Sequence, residues 1–188
     1  ESIEPTVSGF AITLNTHSHM IISGFKRVAM IAALIILIIL WWDFRDFKSV
    51  VLAVIPVSAG WLWMLGLMGA LDISFNAANV VVLPLVLGIG VDAGVHLVHR
   101  CRQSAELRGG IARLEDLLQG TGSAVIVASI TTMVGFAGLM LSDHRAMFSI
   151  GLIMVFGILC CLVACLILLP AILVGFGLAK SDPTASEV

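Results

Sequence analysis

Hydrophobic and polar positions occur in long blocks along this chain. Five apolar segments, at about residues 28–42, 50–71, 77–98, 122–142 and 149–178, are separated by short polar stretches. An α-helix rises 1.5 Å per residue, so about 20 residues cross a 30 Å hydrocarbon core. The pattern therefore predicts an all-α polytopic membrane protein with five transmembrane helices, the first of which is short.

Composition and charge support this class. Of the 188 residues, 60% are hydrophobic and 12% are charged, whereas roughly a quarter of the residues of a soluble domain are charged. The net charge is −2 and the cations are confined to the stretches between the apolar segments. Because there is no basic surface for nucleic acid, we expect membrane lipids as partners and no nucleic acid.

The polar stretches suggest a domain organisation. Residues 1–24 mix β-branched, polar and turn residues, which predicts the end of an extramembrane domain, and residues 25–178 form the five-span domain. Ile111, Leu114 and Leu118 recur at helical spacing, so a cytoplasmic amphipathic helix is expected at about residues 108–119. Residues 179–188 are a polar tail. The chain begins with Glu1 and shows no signal peptide, so we expect a fragment of a longer protein.

The distribution of cations predicts the orientation. One set of loops would carry Arg45, Lys48, Arg100, Arg102, Arg108, Arg113 and Lys180, and the other set would carry Lys26, Arg27 and Arg145. By the positive-inside rule the first set is cytoplasmic. The amino end is then outside and the carboxyl end inside.

The third apolar segment contains a single carboxylate, that of Asp92, within the run LPLVLGIGVDAGVH. A charged Asp at the centre of a membrane helix costs about 2.5–3.5 kcal/mol on insertion scales. Such residues are therefore retained mainly where an ion or proton is handled, and Asp92 is the leading candidate for a functional residue.

Hydroxyl groups of the fourth segment fall at the depth of this acid. Counting 1.5 Å per residue puts Asp92 about 12 Å from the cytoplasmic boundary, and Ser129, Thr131 and Thr132 about 10–15 Å from it. Desolvation favours the neutral acid and nearby donors favour the anion, so protonation could act as a switch. Two alternatives stay open: the threonines bond to their own helix, and His96, one turn from the acid, is a neutral histidine outside the relay.

Small residues and a proline surround the acid. Pro84 removes a backbone hydrogen bond and is expected to bend the helix. Gly88, Gly90 and Gly94 make the helix thin and allow another helix to approach closely. Simple close packing of each glycine is an equally good explanation.

A metal site and a redox site are both poorly supported. Asp92, His96 and His99 lie loosely on one helix face, but the segment lacks the activating Glu of zinc-protease motifs. The cysteines, which are Cys101, Cys160, Cys161 and Cys165, show no CxxC spacing and are interpreted as small packing residues. We therefore expect no metal and no cofactor, with protons as the coupling ion.

An intramembrane aspartyl protease is the enzymatic alternative, since GIGVD superficially resembles a GxGD motif. Such a protease needs a second aspartate on an adjacent span. The other aspartates of the central region, Asp43, Asp46, Asp72 and Asp143, all fall in predicted loops, so we expect a protein that is not an enzyme. A sensor or scaffold whose acid is only structural is a further alternative.

Three stretches carry a family resemblance: LPLVLGIGVDAGVHLVHR, ASITTMVGFAGLMLS and SIGLIMVFGILCCLVACLILLPAIL. Together they resemble the carboxyl-terminal half of the resistance–nodulation–cell division (RND) superfamily, especially the MMPL-type lipid exporters and the hopanoid transporters of bacteria. The similarity covers nearly all of residues 23–178.

The resemblance implies a twelve-span, proton-driven exporter of a hopanoid-like lipid in the bacterial inner membrane, of which this chain supplies the last five spans. Its partner would be the remaining amino-terminal half, and homo-oligomerisation is left open. It also implies that the coupling acid is Asp92 and that its hydroxyl partner is Thr131 or Thr132. Many such exporters have Tyr or Phe after the acid, where this chain has Ala93. The wider superfamily also includes sterol-sensing and Patched-like proteins, which implies a lipid-responsive module that does not pump as an alternative.

Overall fold

A computed structural model of the chain describes residues 5–76, 78–105 and 117–175. Five long α-helices account for most of them: α1 (Pro5–Phe44), α2 (Phe47–Ala70), α3 (Val82–Ala105), α4 (Ser123–Ala137) and α5 (Arg145–Gly175). A 3-10 helix (Asn79–Val81) leads into α3, a π-helical turn (Leu117–Gly122) leads into α4, and a second 3-10 helix (Gly138–Leu141) follows α4. The described ranges contain no β-strand, and the predicted all-α class is confirmed.

The five predicted spans are also confirmed. The helices long and apolar enough to cross a membrane cover Arg27–Phe44, Phe47–Ala70, Asn79–Gln103, Gln119–Leu141 and Arg145–Leu173. We call the end of the bundle where α1 stops and α2 starts the Phe44 end, and the opposite end, where α2 stops, the Leu71 end. The protein is therefore a multi-pass membrane protein with both ends of its bundle defined by turns.

The amino end is helical from Pro5 onward. Helix α1 continues from there into the first span, which starts at Arg27, and the assignment of residues 1–24 to the end of an extramembrane domain stays a prediction. Proline suits the first turn of a helix because its missing N–H is not needed there. Most of the predicted amphipathic helix, residues 108–116, and the tail at 179–188 lie outside the described residues, and residues 117–119 belong to the π-helical turn.

Helix α5 is the centre of the bundle. It packs against α2, α3 and α4, and its contact with α2 is the most extensive between any two described elements. Its buried residues are apolar or small, and they include Ile153, Met154, Ile158, Cys161, Cys165 and Leu169. Cys161 and Cys165 are free thiols within this core.

Helices α2 and α5 touch backbone to backbone at Gly60. A Cβ atom built on Gly60 would lie 2.5 Å from the Cα atom of Cys161. Real Cβ atoms do not approach a backbone so closely, so only glycine allows this spacing. Small residues at helix interfaces have this role in membrane proteins, where close van der Waals contact is the main attraction between helices.

Polar contacts tie the chain together at the Phe44 end. The Nε2 atom of His99 on α3 lies 2.6 Å from Oδ2 of Asp43 on α1. The rings of His99 and Phe44 stack with centroids 4.6 Å apart, and Nη1 of Arg102 donates to the Phe44 carbonyl oxygen at 3.2 Å. The end of α1 is thereby fixed to the end of α3.

A buried asparagine organises the Leu71 end. Asn79 is fully buried, and its Nδ2 donates to Ser149 Oγ at 2.9 Å and to the Ser74 carbonyl oxygen at 3.1 Å. Its Oδ1 accepts a hydrogen bond from the Asn76 N–H at 2.8 Å. Because buried amides are costly unless bonded, this network fixes the start of α3 against α5.

Candidate functional site

An open cleft of about 460 Å³ lies between α3 and α4. Its walls include the single acid of the third span and hydroxyl groups of the fourth. The lining residues are Ile89, Asp92, Ala93, His96, Arg100, Gly120, Thr121, Ala124, Val125, Ala128, Ser129 and Thr132. Most of the wall is apolar, so the few polar groups define its chemistry.

Asp92 and His96 form an adjacent pair on α3. Nε2 of His96 lies 3.4 Å from Oδ1 of Asp92, one helical turn away. The Asp92 side chain is 75% exposed and that of His96 is 64% exposed. The carboxylate therefore faces the open side of the cleft, and the five helices do not seal it by themselves.

Helix α3 has one face for packing and another for the acid. A Cβ atom on Gly94 would lie 2.9 Å from the Ala53 carbonyl oxygen, and one on Gly90 would lie 3.0 Å from Cys161 Sγ. By contrast, a Cβ atom on Gly88 would meet nothing within 4 Å. Gly88 lies one turn before Asp92 on the exposed face and leaves open space there. The close-packing explanation therefore holds for Gly90 and Gly94 but not for Gly88.

Pro84 lies in the first turn of α3, near one end of the third span. It is the third residue of the helix and follows directly on the 3-10 helix. In the first turn a proline costs no intrahelical hydrogen bond. Pro84 therefore lies inside the third span as expected, a bend there stays a prediction, and the acid eight residues later lies on regular helix.

Two of the three predicted hydroxyl residues reach the cleft. Ser129, which is buried, and Thr132 line it. Thr131 is exposed on another face of α4, because adjacent residues of a helix are rotated by about 100°. The hydroxyls of Thr131 and Thr132 donate to the carbonyl oxygens of Val127 and Ala128 at 2.9 and 2.8 Å. The alternative that both threonines bond to their own helix is what the structure shows.

Sequence reasoning missed the polar groups at the Phe44 end of the cleft. Arg100 and Thr121 line it there. A Cβ atom built on Gly120 would lie 3.8 Å from Nη2 of Arg100. Arg100 lies two turns after Asp92, on nearly the same side of α3, which is a signal that helical spacing could have given. Thr121 follows an undescribed segment, and its position could not be inferred from spacing along the chain.

The two enzymatic alternatives find little support in this geometry. Within the described ranges, no three His, Cys, Asp or Glu side chains are grouped as metal ligands, and His99 pairs with Asp43 instead of with the cleft. Among the described carboxylates, Asp92 alone lines the cleft. The second aspartate that a protease would need is not supplied by this part of the chain.

The arrangement can exchange a proton. His96 and Asp92 are close enough for transfer directly or through one water molecule. Of the two hydroxyl groups of α4 that line the cleft with Asp92, that of Thr132 already donates to the Ala128 carbonyl oxygen, so that of Ser129 is the available donor. The site therefore combines one acid, one imidazole and one available hydroxyl in a mainly apolar cleft.

Comparison with known proteins gives one family and several relatives. Residues 1–186 match the model of the MMPL family. A membrane protein of Methanocaldococcus jannaschii, MJ1562, is 39% identical over 150 residues, which cover 78% of this chain and 37% of that protein. The hopanoid transporter HpnN of Burkholderia multivorans is 28% identical over 175 residues, covering 92% of this chain and 19% of that protein.

Patched proteins are also similar. The human protein patched homolog 2 is 38% identical over 128 residues, which cover 66% of this chain and 10% of that protein. The chain therefore spans well under half the length of these curated relatives.

Proposed function

Because the chain belongs to the MMPL family, we propose that it forms the carboxyl-terminal membrane part of an RND-type transporter that uses the proton motive force to export a hydrophobic lipid. The observation that carries the proposal is the cleft, in which Asp92 faces the hydroxyl groups of the next span. An acid in such a place is the usual mark of an ion or proton pathway.

A hopanoid-like lipid is the proposed substrate. The support is the relative named as a hopanoid transporter, which matches 92% of this chain. The proposed location is the bacterial inner membrane, with the Phe44 end in the cytoplasm. Among the described residues, Arg45, Lys48, Arg100 and Arg102 lie at that end and Arg27 and Arg145 at the other, which agrees with the positive-inside rule.

Proton loading at Asp92 would be the coupling step. An ionised Asp92 attracts donors such as the Ser129 hydroxyl and draws α3 and α4 together, whereas the neutral acid releases them. His96, at 3.4 Å, passes the proton between the Phe44 side of the cleft and the carboxylate. Alternation between the two states changes which side of the membrane the acid can reach.

The available energy is sufficient for such a switch. One proton crossing a potential of 100 mV releases about 2.3 kcal/mol, and a tenfold proton gradient adds about 1.4 kcal/mol. A two-state bundle is biased strongly by a few kcal/mol, since each 1.4 kcal/mol changes a population ratio tenfold. Coupling through one carboxylate is therefore energetically reasonable.

Replacing Asp92 tests the proposal. The intact protein is reconstituted into vesicles that contain a hopanoid and a pH-sensitive dye, and proton flux and lipid release are followed after a pH jump. We expect Asp92→Asn to reduce both signals at least a hundredfold, because the amide cannot carry a proton. Asp72→Asn, which alters an exposed turn residue at the Leu71 end, is the matched control and should retain both. Full activity of Asp92→Asn would contradict the proposal.

Two hydroxyl variants locate the coupling within the cleft. Ser129→Ala removes the available donor and should slow lipid release about tenfold or more, since hydrogen bonds to charged groups contribute about 1.5–3 kcal/mol. Thr131→Ala removes a hydroxyl of the same helix that faces away from the cleft, and it should have little effect. An equal response of the two variants would mean that the hydroxyls of α4 do not act on Asp92.

A lipid-responsive module without pumping is the second candidate, and it is favoured by the similarity to patched homolog 2. In that case the protein would bind a sterol-like lipid, but an imposed pH gradient would move neither protons nor lipid. The same vesicle experiment on the unmodified protein separates the two functions.

A further inference from the structure

The turn between α1 and α2 carries two acids that neighbouring groups engage and two cations that they do not. Oδ2 of Asp43 is held by His99 at 2.6 Å. Asp46 accepts hydrogen bonds from the Ser49 hydroxyl at 2.9 Å and from the Ser49 N–H at 3.3 Å. Both carboxylates of the turn are exposed, and each is engaged by a side chain of the protein.

The two cations of the turn are unengaged. Arg45 and Lys48 are both exposed, and within the described residues neither the guanidinium nor the ammonium group has a hydrogen-bond or ion-pair partner. Arg102, which is also exposed, lies close to Asp46, so three cations stand against two carboxylates here and the local surface has a net positive charge. Arg45 and Lys48 are three residues apart, across the end of one helix and the first turn of the next.

The backbone of the turn is fixed, so this positive surface has a defined shape. Arg45 has a φ of 49°, in the left-handed region that non-glycine residues rarely adopt. Its N–H donates to the Trp41 carbonyl oxygen at 3.0 Å. Phe44, only 3% exposed, anchors the turn in the core. The conformation of the turn is therefore set by packing and not by the exposed cations.

Large exposed aromatic residues lie next to the cations in the sequence. Trp42 is 74% exposed and Phe47 is 67% exposed. Both lie at the ends of spans, Arg27–Phe44 and Phe47–Ala70, at the level where aromatic residues meet lipid headgroups. Apolar side chains continue from there along the exposed side of α1, namely Leu34, Ile35, Ile38 and Ile39. An occupant of this surface meets cations at one end and a hydrocarbon surface at the other.

We propose that Arg45 and Lys48, with Trp42 and Phe47, bind the headgroup of an anionic phospholipid whose acyl chains lie along α1. Charge complementarity selects an anionic headgroup, since a neutral one would leave the positive surface uncompensated. The apolar side chains below the cations favour a lipid over a soluble anion, which would leave them without a contact. The proposal does not depend on transport, and through the Asp43–His99 contact it places a bound lipid beside the helix that carries Asp92.

Lipid binding to the intact protein tests this site. The purified protein is titrated with phosphatidylglycerol and, separately, with phosphatidylcholine, and the bound lipid is counted by native mass spectrometry. At about 1 kcal/mol for each cation near an anionic surface, the double variant Arg45→Gln with Lys48→Gln should bind phosphatidylglycerol about thirtyfold more weakly. Its binding of phosphatidylcholine should be unchanged.

Three controls make the result decisive. Arg145→Gln removes an exposed cation at the Leu71 end and should retain phosphatidylglycerol, whereas Arg45→Lys with Lys48→Arg should restore it. Unchanged binding in the double glutamine variant would overturn the proposal, as would an equal loss in Arg145→Gln. Competition by millimolar inorganic phosphate would also overturn it, because the site would then recognise a free anion and not a lipid.

Discussion

At the scale of single residues, Asp46 shows how one carboxylate starts a helix. It precedes α2 with an extended backbone, and its side chain accepts hydrogen bonds from the N–H groups of Lys48 and Ser49. The hydrogen bond from the Ser49 hydroxyl chiefly lowers the pKa of Asp46 from its ordinary value of 3.8, and the backbone N–H groups and Arg102 add to this effect. The cap is therefore strongest when Asp46 is ionised.

The pH dependence of this cap has a definite sign. Because the pKa is lowered in the folded state, the stabilisation is complete above the ordinary value of 3.8 and is lost as pH falls through the lowered value. The protection of the Lys48 and Ser49 amides against hydrogen exchange, relative to their intrinsic exchange rate at each pH, should therefore fall in acid. Asp46→Asn is the matched control, since asparagine caps equally well but does not titrate. The same acid response in both proteins would contradict the assignment.

Also at the residue scale, the sequence predicted the depth of the cleft residues but not their direction. Counting residues along two helices gave similar depths for Asp92, Ser129 and Thr132, and all three line one cleft. The count could not show that Thr131 faces away, because the rotation of α4 about its axis depends on contacts with α5. Nor could it show that Asp43 would pair with His99, since these two residues are separated by a whole span.

At the scale of elements, the contact of α2 with α5 depends on the absence of a side chain at Gly60. Gly60→Ala would force the backbones apart and should destabilise the protein by about 1–3 kcal/mol, as overpacking generally does. Gly66→Ala is a matched control in the same helix, because a Cβ atom there meets nothing within 4 Å. That change should be neutral or stabilising by up to about 1 kcal/mol.

Thermal unfolding of the two glycine variants in one detergent measures the difference. Gly60→Ala should unfold at a lower temperature than the unmodified protein, and Gly66→Ala should not. If both variants unfold like the unmodified protein, α2 and α5 are not in backbone contact at this point.

Element boundaries were predicted less well than the elements. Blocks of apolar residues fix the number and approximate position of the spans, because the membrane requires a minimum apolar length. The start of α1 at Pro5 carries no such signal, since apolar and polar residues are mixed there. The place of Pro84 in a first turn depends on the 3-10 helix before it, which the Asn79 side chain holds through contacts with Ser149. Contacts between distant segments cannot be predicted from the local pattern of apolar and polar residues.

At the scale of the whole molecule, the five helices form a compact core on one side of α3 and leave its other side open. Gly90 and Gly94 lie in close contact with α2 and α5, while Gly88, Asp92 and His96 are exposed. A charged carboxylate facing hydrocarbon would be costly. The relatives are much longer than this chain, so we expect another part of the intact protein to cover this open side.

A leucine at Gly88 tests whether the open side is covered. Within the five helices a Cβ atom at this position meets nothing within 4 Å, so we expect a loss of stability only from a neighbour that the five helices do not provide. If a further helix packs there, Gly88→Leu should lower the stability of the intact protein by about 1–3 kcal/mol. Gly66→Leu, equally exposed on α2, should be tolerated. Equal tolerance of both leucines would mean that Asp92 faces lipid or water directly, and an acid in that environment would have no closed position in which to hold its proton.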